Sequence, residues 1–239
     1  PAGADTVVPV EDTDAPAGAS EVPASVSVLA ATRGGGNVRL PGSDVAAGTP
    51  LLERGRVLDP AAIALLAATG HAAVVVHRRP RVAVISTGDE LVPPGQPLGP
   101  AQIHECNSFT LAAQAAEAGA EVRRMGIAAD TLPDLLALLR EAVAWGDVVV
   151  LSGGVSVGAH DHVKAAFSGI GRLDVWRVAI KPGRPFAFGR AAVDGRPAYL
   201  FGLPGNPVSV FVTFELFVRP VLRRLAGQNV GQQRGGLDV

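Results

Sequence analysis

VVVLSGGVSVGAHDHVK, residues 148–164, is the stretch on which the fold turns. The apolar run 148–151 reads as a buried strand. It breaks into Ser152-Gly153-Gly154, followed by Ser156, Gly158 and Asp161. A buried strand that ends in a glycine-rich loop ahead of a helix is a recurring way to hold phosphate. Glycine lets the backbone approach an anion closely, and the helix N-terminus favours negative charge. Asp161 is the odd member, since a carboxylate beside a phosphate cradle repels it. It makes sense either as a helix N-cap or as the ligand of a cation between carboxylate and phosphate. The glycine spacing matches neither the dinucleotide fingerprint nor the phosphate-loop ATPase motif.

Outward from this loop, strands alternate with helices. Residues 82–86 read as a buried strand, followed by Thr87-Gly88-Asp89-Glu90-Leu91 and a Pro/Gly-rich loop. Asn107 or Ser108 is the expected cap of a helix that Gly119 stops. Residues 121–127 read as a strand. Thr131-x-x-Asp134 with Pro133 starts a helix that runs to Trp145. Past the glycine loop the pattern predicts a helix over 161–167 and a strand over 173–180, then Lys181-Pro182-Gly183-Arg184-Pro185. Strands at 186–188 and 199–201 flank an Asp194-Gly195 hairpin turn. Gly202-Leu203-Pro204-Gly205-Asn206-Pro207 leads into a helix through Leu225, with Asn206 as cap and Pro207 in its first turn. The fold class expected is α/β, a three-layer arrangement with a parallel sheet and helices on both faces. Ligands in such folds bind outside the carboxyl ends of the strands. The loops at 87–90, Asp130 and 152–161 all fall there.

Residues 1–78 read differently. Short apolar runs are separated by Pro, Gly and Ser, which suggests a small β-rich region. Asp59-Pro60 opens one helix, Gly70 ends it, and residues 73–77 read as a short strand. The expected organisation is residues 1–78 as the β-rich region with one helix, 79–227 as the α/β domain, and 228–239 as a disordered tail.

The composition fits a protein with a large core and no polyanion partner. Apolar residues make up 48% of 239, aromatics only 5%, and the formal net charge is -1. A nucleic-acid surface would need a basic excess. No apolar run has the length of a membrane-spanning helix, and residues 1–9 show no secretory signal pattern. The expectation is a cytoplasmic protein with no nucleic-acid or membrane partner. The single cysteine, Cys106, excludes an intrachain disulfide and a thiolate metal cluster.

The loops carry carboxylates at Asp89, Glu90, Asp130 and Asp161. Brought together, they would hold a hydrated Mg²⁺, which takes one or two carboxylates plus substrate phosphate oxygens. Lys164, Lys181 and Arg184 would neutralise phosphate or another oxyanion. Taken singly, each has a plainer reading: Asp130 as a turn residue, Glu90 as a solvated strand end, Lys164 as a solvated helix position. His160 and His162 lie two apart and diverge on a helix, which argues against a histidine metal site. Cys106 reads as a small buried residue. No G-x-S-x-G elbow supports a serine hydrolase.

Taken together, STGDEL (86–91), SGGVSVG with Asp161 and Lys164, IKPGRPFAFG (180–189) and GLPGNPVS (202–209) resemble the molybdopterin molybdotransferase family, the MoeA and gephyrin E-domain family. PAGADTVVPVED and NVRLPGSDVAAGT in the first region resemble it as well. The resemblance implies insertion of molybdenum from molybdate into adenylylated molybdopterin, with Mg²⁺-dependent release of AMP, by a homodimer. It implies Asp161 and Lys181 as catalytic residues and Asp161 with Glu90 as metal ligands. Ser152, Gly153 and Gly154 would contact phosphate, Asp130 would line the cleft, and Lys181 and Arg184 would face molybdate or phosphate. Thr87, Gly88, Asp89, Asn107, Ser156, Gly158, Lys164, Gly183, Pro204, Gly205 and Asn206 complete the implied substrate-binding set. The family's opening segment and its C-terminal β domain are expected to lie outside these residues. The chain departs from the family pattern at Arg184, where Lys is common, at His104-Glu105-Cys106-Asn107, where Tyr-Asp-Ser/Thr-Asn is common, and at His162, where Tyr is common. Two alternatives stand beside the transferase: a molybdopterin-binding module without turnover, and a molybdopterin adenylyltransferase, which shares the α/β domain. The GLPGNP segment and the first region favour the transferase.

Overall fold

The computed structural model describes residues 3–16, 18, 23–155 and 162–229. Contacts divide the chain into two compact units, Pro1–Glu53 and Arg54–Val239. In the first, the described residues form a 3-10 turn at Val10–Asp12, one isolated antiparallel bridge between Thr13 and Val28, and a series of turns. Here the expectation of strands gives way to a single bridge. Val26, Val28 and Leu29 are exposed, so the described residues here bury no apolar face that would hold a sheet.

The second unit opens with helix α1 (Pro60–Ala68). Asp59 Oδ1 caps it by accepting from Ala62 N at 2.8 Å, and Gly70 leaves it at φ +82°. The strand expected at residues 73–77 does not form: among the described residues no neighbour pairs with it, and Val74, Val75 and Val76 are exposed. The order then runs β1 (Arg81–Thr87), β2 (Leu91–Val92), β3 (Ile103–His104), α2 (Asn107–Glu117), β4 (Glu121–Ala128), α3 (Leu132–Trp145), β5 (Val148–Ser152), α4 (His162–Ile170), β6 (Gly171–Trp176), β7 (Ala187–Val193), β8 (Arg196–Leu203) and α5 (Pro207–Thr213). A π-helical segment (Phe214–Val218) and α6 (Arg219–Leu225) follow.

Six strands form one sheet in the order β4-β1-β5-β8-β7-β6. β4, β1, β5 and β8 are parallel, and β7 is antiparallel to both its neighbours. Alternate residues of each strand face opposite layers. Ala83 and Ile85 pack with α3 and α4 through Leu135, Leu139 and Phe167. Val82 and Val84 pack with α2, α5 and α6 through Leu111, Val210 and Leu222. A fully buried Leu such as Leu139 contributes about 2 kcal/mol through its burial. The chain passes from β1 to β4 on one side and then crosses to β5 on the other. That reversal of direction opens a crevice at the carboxyl ends of β1 and β5.

Several local readings hold. Thr131 Oγ1 accepts from Asp134 N at 3.3 Å, and Gly146 ends α3. Asp194 (φ +50°) and Gly195 (φ +75°) make the hairpin turn, and Asn206 caps α5. Others change. β6 stops at Trp176 because Arg177 turns to φ +72° and closes a loop, donating its N–H to Phe186 O at 2.7 Å. The helix read as continuous to Leu225 loosens into its π segment just ahead of Pro220, which offers no N–H to the preceding turn. The N-terminus of α2 is capped by neither Asn107 nor Ser108. Glu105 Oε1 accepts from Ser108 N at 2.6 Å instead. Asp161, proposed to cap α4, and the tail beyond residue 229 lie outside the described residues.

Candidate active site

The carboxyl ends of β1, β5 and β8 open on a cavity of about 480 Å³. Its wall is built by the loop after β1 (Thr87, Gly88, Glu90, Leu91), by residues 103–107, by Asp130 after β4, by Ser152, Gly153 and Gly154 after β5, by Pro185, and by Pro204, Gly205, Asn206, Pro207 and Ser209 after β8.

Close approach of these loops explains the glycines. Gly153 sits at φ +93°, and a Cβ there would run into the Thr87 carbonyl. Gly154 sits at φ +67°, and its Cβ would lie 2.7 Å from Val163 Cγ2. Gly153 donates its N–H to Leu203 O at 3.1 Å, so it offers a ligand close approach rather than a donor. The amides at the start of α5 are likewise committed. Asn206 Oδ1 accepts from Val208 N at 3.0 Å and Ser209 N at 3.3 Å.

Asn107 ties the loops together. Its Nδ2 donates to Ser152 Oγ at 2.9 Å and to Gly205 O at 2.8 Å. Behind it, the buried Glu105 carboxylate takes three donors: Ser86 Oγ at 2.9 Å, Ser108 N at 2.6 Å and Ser108 Oγ at 2.6 Å. Arg124 Nε donates to Ser108 Oγ at 2.9 Å. Asp89 does not line the cavity; its Oδ1 accepts from Asp130 N at 3.1 Å and joins the loops after β1 and β4.

Glu105 is thus committed to three donors, while Glu90 and Asp130 remain as carboxylates on the wall. No described lining residue is Lys or Arg. Among the described residues no group of three His, Cys, Asp or Glu could by itself cage a metal ion. Two carboxylates nevertheless suit Mg²⁺, which keeps waters and takes phosphate oxygens as further ligands.

The expected cations stand apart from the wall. Lys181 and Arg184 are exposed on the loop 177–186, whose Pro185 reaches the cavity. Gly183 (φ +111°) packs that loop down, since a Cβ would lie 2.6 Å from Thr213 Cγ2. Lys164 is exposed on α4, its Nζ 5.8 Å from the centroid of the Trp176 ring. Thr87, Gly88, Glu90, Asn107, Asp130, Ser152, Gly153, Gly154, Pro204, Gly205 and Asn206 are brought to the cavity; Lys164, Lys181, Gly183, Arg184 and Asp89 are not among its lining residues. Asp161, Ser156 and Gly158 lie outside the described residues.

The structure adds Glu105, Cys106, His104, Ile103 and Pro185 to the wall. Cys106 is exposed rather than buried, and it lines the cavity. Arg177, also missed, puts a third exposed cation on the loop 177–186. Only the unusual run 104–107 marked this wall in the sequence. A second cavity of about 530 Å³ includes Arg78, Asp147, Arg190 and Tyr199 in its lining. Its arginines are already paired, Arg78 with Asp147 and Arg190 with Asp174.

Comparison with known proteins bears on this geometry. Residues 83–224 match a family described as "Probable molybdopterin binding domain", and residues 1–70 match the "MoeA N-terminal region (domain I and II)". The chain is 43% identical over 233 residues to molybdopterin molybdenumtransferase 2 of Mycobacterium tuberculosis strain H37Rv, covering 95% of this chain and 55% of that protein. It is 42% identical to the molybdopterin molybdenumtransferase of Nostoc sp. PCC 7120, covering 95% of this chain and 51% of that one. It thus spans about half the length of these curated relatives. The crystal structure of a molybdopterin biosynthesis MoeA protein from Pyrococcus horikosii superposes with a TM-score of 0.74 at 38% identity, covering 94% of this chain and 54% of that one.

Proposed function

On the premise that this chain belongs to the molybdopterin-binding-domain family and carries the MoeA N-terminal region, we propose that its cavity holds adenylylated molybdopterin and serves transfer of molybdenum from molybdate, with Mg²⁺-dependent release of AMP. The observation that carries this reading is the wall itself. Glycines, Ser152 and the Gly205 backbone line the cavity together with Glu90 and Asp130, and no described Lys or Arg does. A phosphoanhydride entering such a wall meets repulsion unless a divalent cation comes with it. Glu90 and Asp130, with Asp161, are the residues that would hold Mg²⁺. Bound there, the ion would neutralise phosphate charge and assist departure of AMP.

The protein's own groups then have separable tasks. Ser152, buried and held by Asn107 Nδ2 at 2.9 Å and by its own bond to Pro204 O at 3.4 Å, fixes the floor. Gly153 and Gly154 let the ligand come close to the backbone. Lys181 and Arg184, on a loop pinned by Gly183, supply positive charge to molybdate or phosphate at the rim, with the charge spread differently on Arg184 than on a lysine. The ligand itself carries the thiolates that take molybdenum, so a chain with one cysteine suffices.

Two further readings belong to the proposal. The protein acts in the cytoplasm. Among the described residues no helix is long and apolar enough to cross a membrane. It works as a homodimer. Exposed apolar side chains support association: Ile63 on α1, which is apolar on all sides, Val208 and Phe211 on α5, and Leu216 in the π-helical segment.

The test is AMP release from adenylylated molybdopterin with Mg²⁺ and molybdate, comparing the protein with Asp161→Ala and Glu90→Gln. Molybdate-dependent release that both substitutions suppress is the expected result. Tight binding of the adenylate without release would replace the transferase reading with that of a binding module. Absence of both would overturn the site.

A further inference from the structure

Glu105 occupies an unusual place for a buried acid. It is only 3% exposed, yet among the described residues no cation bonds to it directly. Its three donors are neutral, and Arg124 is reached only through the Ser108 hydroxyl. Two of those donors belong to Ser108, in the first turn of α2. The carboxylate therefore caps a helix from outside it, where negative charge is favoured.

The consequence falls on Asn107. Asparagine is among the best N-cap residues, and a helix beginning here with no other cap would draw its side chain back onto the first amides. With Glu105 in that role, Asn107 becomes the first helical residue and its side chain is released. It reaches out of the helix to Ser152 and Gly205, 45 and 98 positions away in the chain. The anchoring strands make the arrangement rigid. Glu105 is held by Ser86 on β1, Asn107 holds Ser152 on β5, and Ser86 and Ser152 are partners in register.

We propose that Glu105 is a positioning residue of the cavity: by capping α2 it frees Asn107 to lock the glycine loop after β5 to the loop after β8. It acts through Asn107 rather than through its own place on the cavity wall. Its link to turnover rests on the reading of this cavity as the adenylate site, but the locking itself does not.

The experiment compares Glu105→Ala, Glu105→Gln, Asn107→Ala and the double variant Glu105→Ala/Asn107→Ala. Thr131→Val, a cap removed from the distant helix α3, serves as a control for simple destabilisation. The first readout is amide hydrogen exchange in the ligand-free protein over residues 152–155 and 203–209. Asn107→Ala and Glu105→Ala should each speed exchange there by about tenfold, as loss of two hydrogen bonds in a local opening predicts. The double variant should be no faster than the singles, because both remove one lock. Glu105→Gln, which keeps acceptors for Ser108 N and Ser86 Oγ, should stay near the wild type. Thr131→Val should leave these segments unchanged. Faster exchange confined to α2 in Glu105→Ala, or additive effects in the double variant, would overturn the proposal. If Glu105→Ala does not fold, Glu105→Gln is compared with Glu105→Leu, and equal exchange in the two overturns it. The second readout is AMP release, where the same variants should raise KM for the adenylate more than they lower kcat. Wild-type protein that releases no AMP would sink the reading of function and leave the exchange result to decide the lock.

Discussion

Asp147→Asn should weaken the fold while leaving the cavity intact. Asp147 stands just ahead of β5 and links the start of the central sheet. Its carboxylate, with the side chain only 12% exposed, accepts from both Arg78 guanidinium nitrogens at 2.6 and 2.7 Å and from Arg81 N at 2.8 Å. Its main chain donates to Arg81 O and accepts from Tyr199 N, each at 2.9 Å, so one residue bridges β1, β5 and β8. Asparagine keeps the shape and one acceptor but loses the charge. Hydrogen bonds to a charged group contribute about 1.5–3 kcal/mol. Arg78 is 68% exposed, so solvent screens part of that, and about 2 kcal/mol is the expected loss. For a unit of this size that corresponds to a fall in Tm of about 4–8 °C.

The pH dependence is the sharper test. Burial pushes the Asp147 carboxyl up, but the Arg78 and Arg81 hydrogen bonds and the charges of Arg78 and Arg196 together hold it below the usual carboxylate range. A depressed folded value means the stabilisation is fully present above the unfolded carboxyl pKa of about 3.9 and is lost as pH falls through the folded value. Thermal melts of wild type and Asp147→Asn should therefore differ at neutral pH and converge in acid. A gap that is missing at neutral pH, or that persists undiminished well below the unfolded pKa, would refute the reasoning.

Gly195→Ala and Gly153→Ala should separate backbone cost from collision. Both positions have positive φ, but nothing lies within 4 Å of a Cβ at Gly195, while one at Gly153 strikes the Thr87 carbonyl. Urea unfolding should show a loss of about 1–2 kcal/mol for Gly195→Ala and a clearly larger one for Gly153→Ala, with the cavity deformed; equal losses would argue against the observed loop geometry. Lys181→Ala and Arg184→Ala should weaken adenylate binding by about three- to tenfold at low ionic strength, and the deficit should shrink as salt screens these exposed charges. A deficit independent of salt would place the two cations in contact with the ligand rather than at the rim.

The parts of the fold that were legible in the sequence are those with short-range causes. Asp59-Pro60, Thr131 with Asp134, and Asn206-Pro207 cap their helices as read, because a cap needs only a side chain and the amides two or three residues on. Asp194-Gly195 makes its turn because both residues tolerate positive φ. The strand at residues 73–77 was misread for the complementary reason. Its three valines carry strand propensity, yet a strand exists only where a partner supplies hydrogen bonds.

The site divides along the same line. The glycine loops at the carboxyl ends of buried strands and the carboxylates beside them are legible in local pattern, since apolar runs, glycines and helix starts depend on neighbours in the chain. The sequence could not decide which of Glu105, Cys106, Asn107 and Ser108 would cap α2. That choice depends on Ser86 in one strand and Ser152 in the next, and on Gly205 beyond a third, so only the assembled sheet brings the competing acceptors together. Nor could it show that Glu90 and Asp130 line the cavity while Lys181 and Arg184 do not. Charge placement around a cleft follows from strand order and from packing such as Gly183 against Thr213, and these are set by tertiary contacts between distant segments.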